Sequence, residues 1–285
     1  MPYQGLFIGA TTLDLIYKSD SPLPKNKKVV AKDYLTAAGG PATNAAVAFS
    51  SFNNRAKLLS VIGQHPITEL IKNDLNNCSV EIIDLAAQRT ESPPISSIVV
   101  TANTGERAVI STPTTKYKGD LAISESSLNL IDIILIDGHQ IEASLALAEM
   151  ASDRNIPVVM DGGSWKLGLD LIIPLVDYAI CSANFYPPGC DRHNDVFNFL
   201  QDKGVPNIAI TNGERPIQCL DRGKISTLSV SQVDTVDTLG AGDIFHGAFC
   251  HHILTSDFPT ALSLAAKTAS KSCQFFGTRS WLQFV

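Results

Sequence analysis

Short apolar runs alternate along this chain with longer stretches in which apolar positions recur every three or four residues. GLFIG (5–9), AKLLSVIG (56–63), VEIIDL (80–85), DIILID (132–137), IPVVMD (156–161), DYAICS (177–182) and NIAIT (207–211) have the length and composition of buried strands. PATNAAVAFSSF (41–52), ITELIKNDL (67–75) and IEASLALAEMASDR (141–154) carry the helical period, the first of them with Pro41 near a first-turn position. Strand and helix in alternation predict βαβ units and a mostly parallel sheet covered on both faces.

Two stretches break this rhythm. Residues 13–36 run through LDLIY, Ser21-Pro22-Leu23-Pro24 and VVAKDYLT. Residues 96–112 read as two strands around the turn Asn103-Thr104-Gly105. Both are expected to leave the main sheet as antiparallel excursions. The pattern alone leaves open whether they form a functional flap or plain surface hairpins. With no internal repeat, low-complexity tract or long linker, one α/β unit over residues 1–285 is the simplest organisation.

The segment 233–254, VDTVDTLGAGDIFHGAFCHHIL, opens as a strand-like run and continues as a helix with Ile244, Phe245, Ala248, Phe249 and Ile253 at helical spacing. Between them lies Gly240-Ala241-Gly242-Asp243. Small residues let a ligand come close to the backbone. The first helical turn offers N–H groups without intrahelical partners at the positive end of the helix dipole, which is an anion site. A carboxylate at Asp243 can be a first-turn residue, or it can take a proton from an alcohol that attacks a bound phosphate. Spacing leaves both readings open.

The run Asp237 to Ala248 resembles the C-terminal signature of the ribokinase-like (PfkB) sugar kinases. Gly39-Gly40-Pro41-Ala42-Thr43-Asn44-Ala45-Ala46 is similar to the N-terminal signature of the same family. The pair, in this order and about two hundred residues apart, is far more specific than either motif alone. The resemblance runs from residue 5 to about residue 281. In the tail, Gly277-Thr278-Arg279 resembles a subgroup that includes sulfofructose kinase.

The resemblance implies a three-layer α/β/α sandwich with a β-sheet lid built from segments 13–36 and 96–112. It implies an ATP-dependent kinase acting on a hydroxyl of a sugar or sugar-like molecule. Asp243 would be the base, and the Gly240–Asp243 loop, with the amides of Ala241, Gly242 and Asp243, would hold the moving phosphoryl group. Asp14, Gly39, Gly40 and Asn44 would bind substrate hydroxyls. Asn184, Thr211, Gly213, Thr238, Gly240, Gly242 and Gly277 would contact ATP, and the helix around 265–272 would flank the adenine. Mg²⁺ would bridge the phosphates. Some relatives bind a monovalent cation near the first Asp of the signature, here Asp237, which leaves K⁺ open. Relatives that dimerise through the lid make a homodimer an expectation here. A noncatalytic sugar- or nucleotide-binding relative and a nucleoside kinase on the same fold are the competing readings.

Arg107 can be a lid contact to substrate or a solvated arginine after a turn. His139, just after DIILID, can face the substrate cleft at the carboxyl end of a strand, but is read first as structural or solvent-facing, and His246 as packing. Two departures from the family pattern bear on the metal. Pro187 stands where an Asn-x-x-Glu segment starting at Asn184 would have its Glu, which leaves the metal to be held through water, held more weakly, or held by another acid such as Asp161. Gln64-His65-Pro66 replaces an acidic loop.

Bulk properties exclude several other classes. The net charge of −6 and the lack of a basic stripe argue against a nucleic-acid partner. No run reaches the ~18 apolar residues that span a bilayer. The N-terminal residues do not read as a secretory signal, so a cytoplasmic protein with no membrane partner is expected. The six cysteines include no C-x-x-C pair and are expected to be reduced thiols. G-x-G-x-x-G fails because Phe245 takes the third glycine position, and a Walker P-loop is absent.

Overall fold

The computed structural model describes residues 2–102, 104–114, 119, 123–221 and 223–284. Asn103, part of the expected turn, lies outside the described residues. The large sheet is built from β1 (Gln4–Ile8), β4 (Arg55–Ser60), β5 (Val80–Asp84), β8 (Ile133–Ile136), β9 (Val158–Gly162), β10 (Tyr178–Ser182), β11 (Asn207–Asn212), β12 (Arg215–Asp221) and β13 (Lys224–Leu228). Their order across the sheet is β13-β12-β11-β10-β9-β8-β1-β4-β5. Pairing is parallel from β5 to β11. The edge hairpin β12–β13 is antiparallel. Sequence pattern did not single out that hairpin, because its alternating polar residues lack the apolar runs of the parallel strands.

Alternate side chains of each buried strand go to opposite faces. Phe7, Leu58, Leu135 and Ile180 meet α1 (Pro41–Ser50), α2 (Thr68–Asn77), α6 (Ala241–His252) and α7 (Phe258–Ser272). Leu6, Ile8, Leu59 and Met160 meet α3 (Ile141–Asp153), the short α4 (Leu169–Ile172) and α5 (His193–Asp202). Both faces are therefore covered, as expected for near-continuous apolar strands. After β1 the chain winds outward through β4 and β5, then returns to place β8 on the other side of β1. The strand order reverses between β1 and β8, and the crevice outside the carboxyl ends of the strands at such a reversal is where open α/β sheets bind ligands.

A separate four-stranded sheet has the order β3-β2-β6-β7, from β2 (Thr12–Ser19), β3 (Asp33–Gly39), β6 (Ile95–Thr101) and β7 (Arg107–Ser111). Its strands lie almost wholly in the two stretches that break the βα rhythm. The expectation of purely antiparallel excursions needs one correction. The β2–β3 and β6–β7 pairs are antiparallel, but β2 and β6 join the two hairpins in parallel. Ile16, Ile98, Val100 and Leu35 of this sheet pack on Leu239 and Phe276, which anchors it beside the loop that precedes α6. That loop corrects a second expectation. Residues 233–238 form no strand and pass as irregular chain between β13 and α6.

Candidate active site

Two glycine-rich turns converge because α1 and α6 pack closely. A Cβ on Gly247 would stand 2.1 Å from the Ala45 carbonyl oxygen, so only glycine permits this approach. Asn44 on α1 and Asp243 on α6 are thereby joined, with Asn44 Nδ2 donating to Asp243 Oδ2 at 2.8 Å. Asp243 is pushed up to about 7, first by burial and next by the nearby negative charge of Asp161, while the Asn44 hydrogen bond and His246 oppose the rise. Its residue surface is only partly accessible.

α6 starts at Gly240, whose left-handed φ of 71° turns the chain into the helix without a side-chain cap. Ile244 N–H bonds back to Gly240 O at 2.8 Å and Ala241 N–H to Thr238 O at 3.3 Å. The amides of Gly242 and Asp243 have no hydrogen-bond partner among the described residues. Of the three amides expected to receive a phosphoryl group, Ala241 is thus already engaged, and two are open.

A cavity of about 560 Å³ lies in front of this helix start. Arg107, Asn184, Thr211, Gly213, Thr238, Ala241 and Gly242 line it, together with Phe245, Ala266, Ala269, Ser270 and Cys273 of α6, α7 and the residue that follows α7. Five of the seven expected nucleotide residues, Asn184, Thr211, Gly213, Thr238 and Gly242, therefore share one wall. Gly240 and Gly277 stand outside it. Gly240 lies between Thr278, Asn44 and Asp243. Gly277 donates its N–H to Asp237 Oδ2 at 2.8 Å and backs against Leu35 of the small sheet. Ile217 and the irregular segment around 230–235 also line the cavity. No sequence signal pointed to them, because Ile217 lies on the edge hairpin that the pattern missed and residues 230–235 form no regular element.

Arg107, expected among the substrate residues, lies on the wall of this cavity. It is exposed and donates from Nη1 to Thr238 Oγ1 at 2.7 Å. The neighbouring Gly105 leans on Thr235 and Val236. The β6–β7 turn of the small sheet therefore meets the loop before α6.

The other expected substrate residues lie outside this cavity lining, near one another. Asp14 is buried on β2, accepts from Thr12 Oγ1 at 2.6 Å, and has its carboxyl pushed upward by burial, against the Thr12 and Ser96 hydrogen bonds and Arg279. A Cβ on Gly39 would lie 2.0 Å from Asp14 Oδ2. Gly40, at φ 104°, has the Ala10 carbonyl oxygen 2.3 Å from where its Cβ would be. The bare Gly39-Gly40 turn thus lets β1, β2 and α1 meet with Asp14 between them.

Asp137 is a centre that sequence reading passed over. It follows β8 at the crevice and is 1% exposed. Oδ2 accepts from the Ala10 and Ala42 amides at 2.9 and 3.2 Å, and Oδ1 from the His139 amide at 2.9 Å. His139 Nδ1 lies 3.0 Å from Oδ1. Burial pushes this carboxyl upward, yet His139, Lys166 and the Ala10 amide together hold it down at about 2. An acid directly after an all-apolar strand, with Gly9 where the facing strand ends, was the available signal.

His246 is buried, with Nδ1 2.7 Å from Gly242 O and Nε2 3.1 Å from Ile180 O. It fixes the first turn of α6 to β10, consistent with packing. Asp161, buried at the end of β9, lies 3.6 Å from His246 Nδ1. Asp237 accepts from the Leu239 and Gly277 amides at 2.9 and 2.8 Å and holds the loop in place. Among the described residues no three His, Cys, Asp or Glu side chains converge at metal spacing. Pro187 follows β10 without a carboxylate, and Asn184 alone of that segment's expected pair is on the cavity wall. Such a wall suits a Mg²⁺ ion held mainly by phosphate oxygens and water.

The same layout recurs in known proteins. A ribokinase from Giardia lamblia matches with a TM-score of 0.80 at 15% identity, over 98% of this chain and 96% of that one. Arabidopsis thaliana ribokinase complexed with ribose and ATP matches with a TM-score of 0.71 at 17% identity, over 100% of this chain and 99% of that one. In sequence, a deoxyribokinase from Salmonella typhi is 24% identical over 96% of this chain and 93% of its own length. The profile of the pfkB family carbohydrate kinases matches residues 5–283, nearly the whole chain and both glycine turns, and on that match the protein belongs to the pfkB family of carbohydrate kinases.

Proposed function

We propose that this carbohydrate kinase transfers the terminal phosphoryl group of ATP to a hydroxyl of a sugar or sugar-like molecule, with Asp243 as the general base. The observation that carries this reading is Asp243, a residue only partly accessible whose carboxyl is pushed up to about 7 by burial, in the same helix turn as the two open amides of α6, in front of which lies a cavity of about 560 Å³. A base with a pKa near the working pH is matched to its task.

In the reaction, the sugar O–H breaks as its proton passes to Asp243 and the oxygen bonds to phosphorus. The bond from phosphorus to the bridging oxygen breaks, and that electron pair leaves with ADP. The Gly242 and Asp243 amides face the charge that builds up on the phosphoryl oxygens. Asp14 and Asn44 hold the acceptor sugar on the side of the Gly39-Gly40 turn. Arg107 and Thr238 flank the phosphates, while Ala266, Ala269 and Ile217 offer an apolar slot for the base. Mg²⁺, when bound with the nucleotide, offsets phosphate charge. Asp237 is the charged neighbour for a K⁺ ion, and a higher rate in potassium than in sodium buffer is the expected mark of it.

The small sheet acts as a lid over the sugar, within one kinase domain over residues 1–285. Its exposed Tyr34, Val109 and Ile110 support a homodimer formed through the lid.

The test is a phosphoryl-transfer assay with Mg·ATP against a panel of pentoses, ketoses, sugar acids and nucleosides. Turnover on a sugar, lost in Asp243→Ala, supports the reading. Sugar and ATP binding without turnover would make the chain a noncatalytic relative, and preference for nucleosides would make it a nucleoside kinase.

A further inference from the structure

Arg279 lies beyond α7, and its guanidinium is fully engaged by the protein. Nε and Nη2 reach Asp74 Oδ2 at 3.1 and 3.0 Å, and Nη2 also donates to the Ala38 carbonyl. Nη1 donates to Asn44 Oδ1 at 3.0 Å and to Thr278 O and Oγ1 at 3.1 and 3.0 Å. The side chain is 10% exposed. A guanidinium has five N–H donors and no acceptor, so these contacts leave none for a ligand. Arg279 is therefore not a substrate-binding arginine, although it sits near Asp14.

Its effect passes through Asn44. An amide has an acceptor end and a donor end. The guanidinium can only donate, so it claims Oδ1, and Nδ2 is left facing Asp243 Oδ2. An ionised carboxylate can only accept, so the chemistry at both ends demands this orientation. A reversed amide would set NH₂ against guanidinium and a carbonyl oxygen against a carboxylate.

We propose that Arg279 is a positioning residue for the base: by holding the Asn44 carbonyl oxygen it keeps the amide donating to Asp243 and favours the ionised, proton-accepting carboxylate. This rests on the role proposed for Asp243. The other charged groups near Asp243 are Asp161 at the end of β9, Asp137 after β8 and His246 on α6, and the contacts that Asp137, His246 and Asp161 make do not include Arg279. Arg279 is itself paired with Asp74, so its field at a distance is small.

The experiment titrates the Asp243 carboxyl by ¹³C NMR, assigned with Asp243→Asn, alongside the pH profile of kcat/KM. In Arg279→Met both the carboxyl titration and the acid limb should move up by about one pH unit. Arg279→Lys, which keeps the charge but not the planar fork, should behave likewise. In an Asn44→Ala background, Arg279→Met should add no further shift. The double variant R279M/D74N, which removes the stranded Asp74 charge, supplies a folded protein if Arg279→Met alone is unstable.

An unmoved Asp243 titration in a folded variant overturns the proposal and makes Arg279 structural. So does full rescue by lysine, or an undiminished shift without Asn44. A carboxyl that titrates higher while the rate limb stays put supports the Arg279–Asn44–Asp243 coupling and removes Asp243 as the base.

Discussion

Asn44 and Asp243, 199 residues apart in sequence, share a 2.8 Å hydrogen bond that ties the first glycine turn to the second. Each residue starts a helix turn that must stay bare, one beside Gly39-Gly40 and the other beside Gly240-Ala241-Gly242. The contact puts a carboxylate between the side proposed for the sugar and the side proposed for the nucleotide. Replacing Asp243 by Ala removes the proton acceptor and leaves the cavity wall intact. Turnover should fall by about 10²–10⁴-fold with ATP affinity nearly unchanged, as read by steady-state kinetics and calorimetric titration. Wild-type turnover in the variant would show that another group accepts the proton.

The raised position of Asp243 makes activity and stability slope in opposite directions with pH. A base works when deprotonated, so kcat/KM should rise with pH and level off above about 7. The folded protein holds the Asp243 proton more tightly than the unfolded chain does. Its contribution to stability is therefore fully present below the ordinary carboxylate value of 3.8 and is lost as pH rises through about 7. Asp243→Asn cannot ionise, so its unfolding free energy relative to the wild type should grow across that window. Chemical denaturation at several pH values measures it, and parallel pH curves for the two proteins would refute the raised value.

Arg107 makes a single hydrogen bond among the described residues, to Thr238 Oγ1, and stands on the cavity wall. A charge-assisted contact to phosphate is worth about 1.5–3 kcal/mol. Arg107→Ala should thus raise KM for ATP by about 10- to 100-fold and leave Tm unchanged, since the residue is exposed. If KM for the sugar rises instead, Arg107 belongs to the acceptor side, as its position in sequence first suggested.

The layers of the fold could be read because parallel strands covered on both faces must be apolar throughout, and the helices between them keep their period. The β12–β13 hairpin escaped because an edge pair with one open face lacks that signature. The turn proposed to be catalytic was legible in Gly240 to Asp243, where small residues and an acid coincide. Arg279 was not, since a tail arginine looks like any solvated cation until the fold brings Asp74, Ala38 and Asn44 around it. Arg107 was placed in the small sheet from the sequence and opens β7 there, but its contact with Thr238 was not legible, because it depends on the docking of Gly105 on Thr235.

The exposed apolar side chains of the small sheet carry a prediction about assembly. Tyr34 and Ile110 are 72% and 76% exposed on strands that flank the proposed lid. If they form an interface, light scattering should give twice the 30.6 kDa chain mass, and Ile110→Lys should return a monomer. A wild-type monomer at high concentration would remove the lid-mediated dimer.

Asp137 tests whether the crevice is preassembled by the fold or formed by ligand. Its carboxylate accepts the amides of Ala10 after β1, Ala42 in the first turn of α1 and His139 after β8. Removing it strands those buried donors and leaves His139 without its partner, a loss of about 3–5 kcal/mol for a broken buried pair. The group is held down at about 2, so its stabilising contribution is present above 3.8 and disappears only as pH falls through about 2. Asp137→Ala should therefore lower stability by that amount at neutral pH, with Asp137→Asn milder because it retains an acceptor oxygen. Saturating sugar and nucleotide should restore part of the lost Tm by mass action. A variant as stable as the wild type would mean that these amides find other partners and that Asp137 does not hold the β1–β8 crevice open.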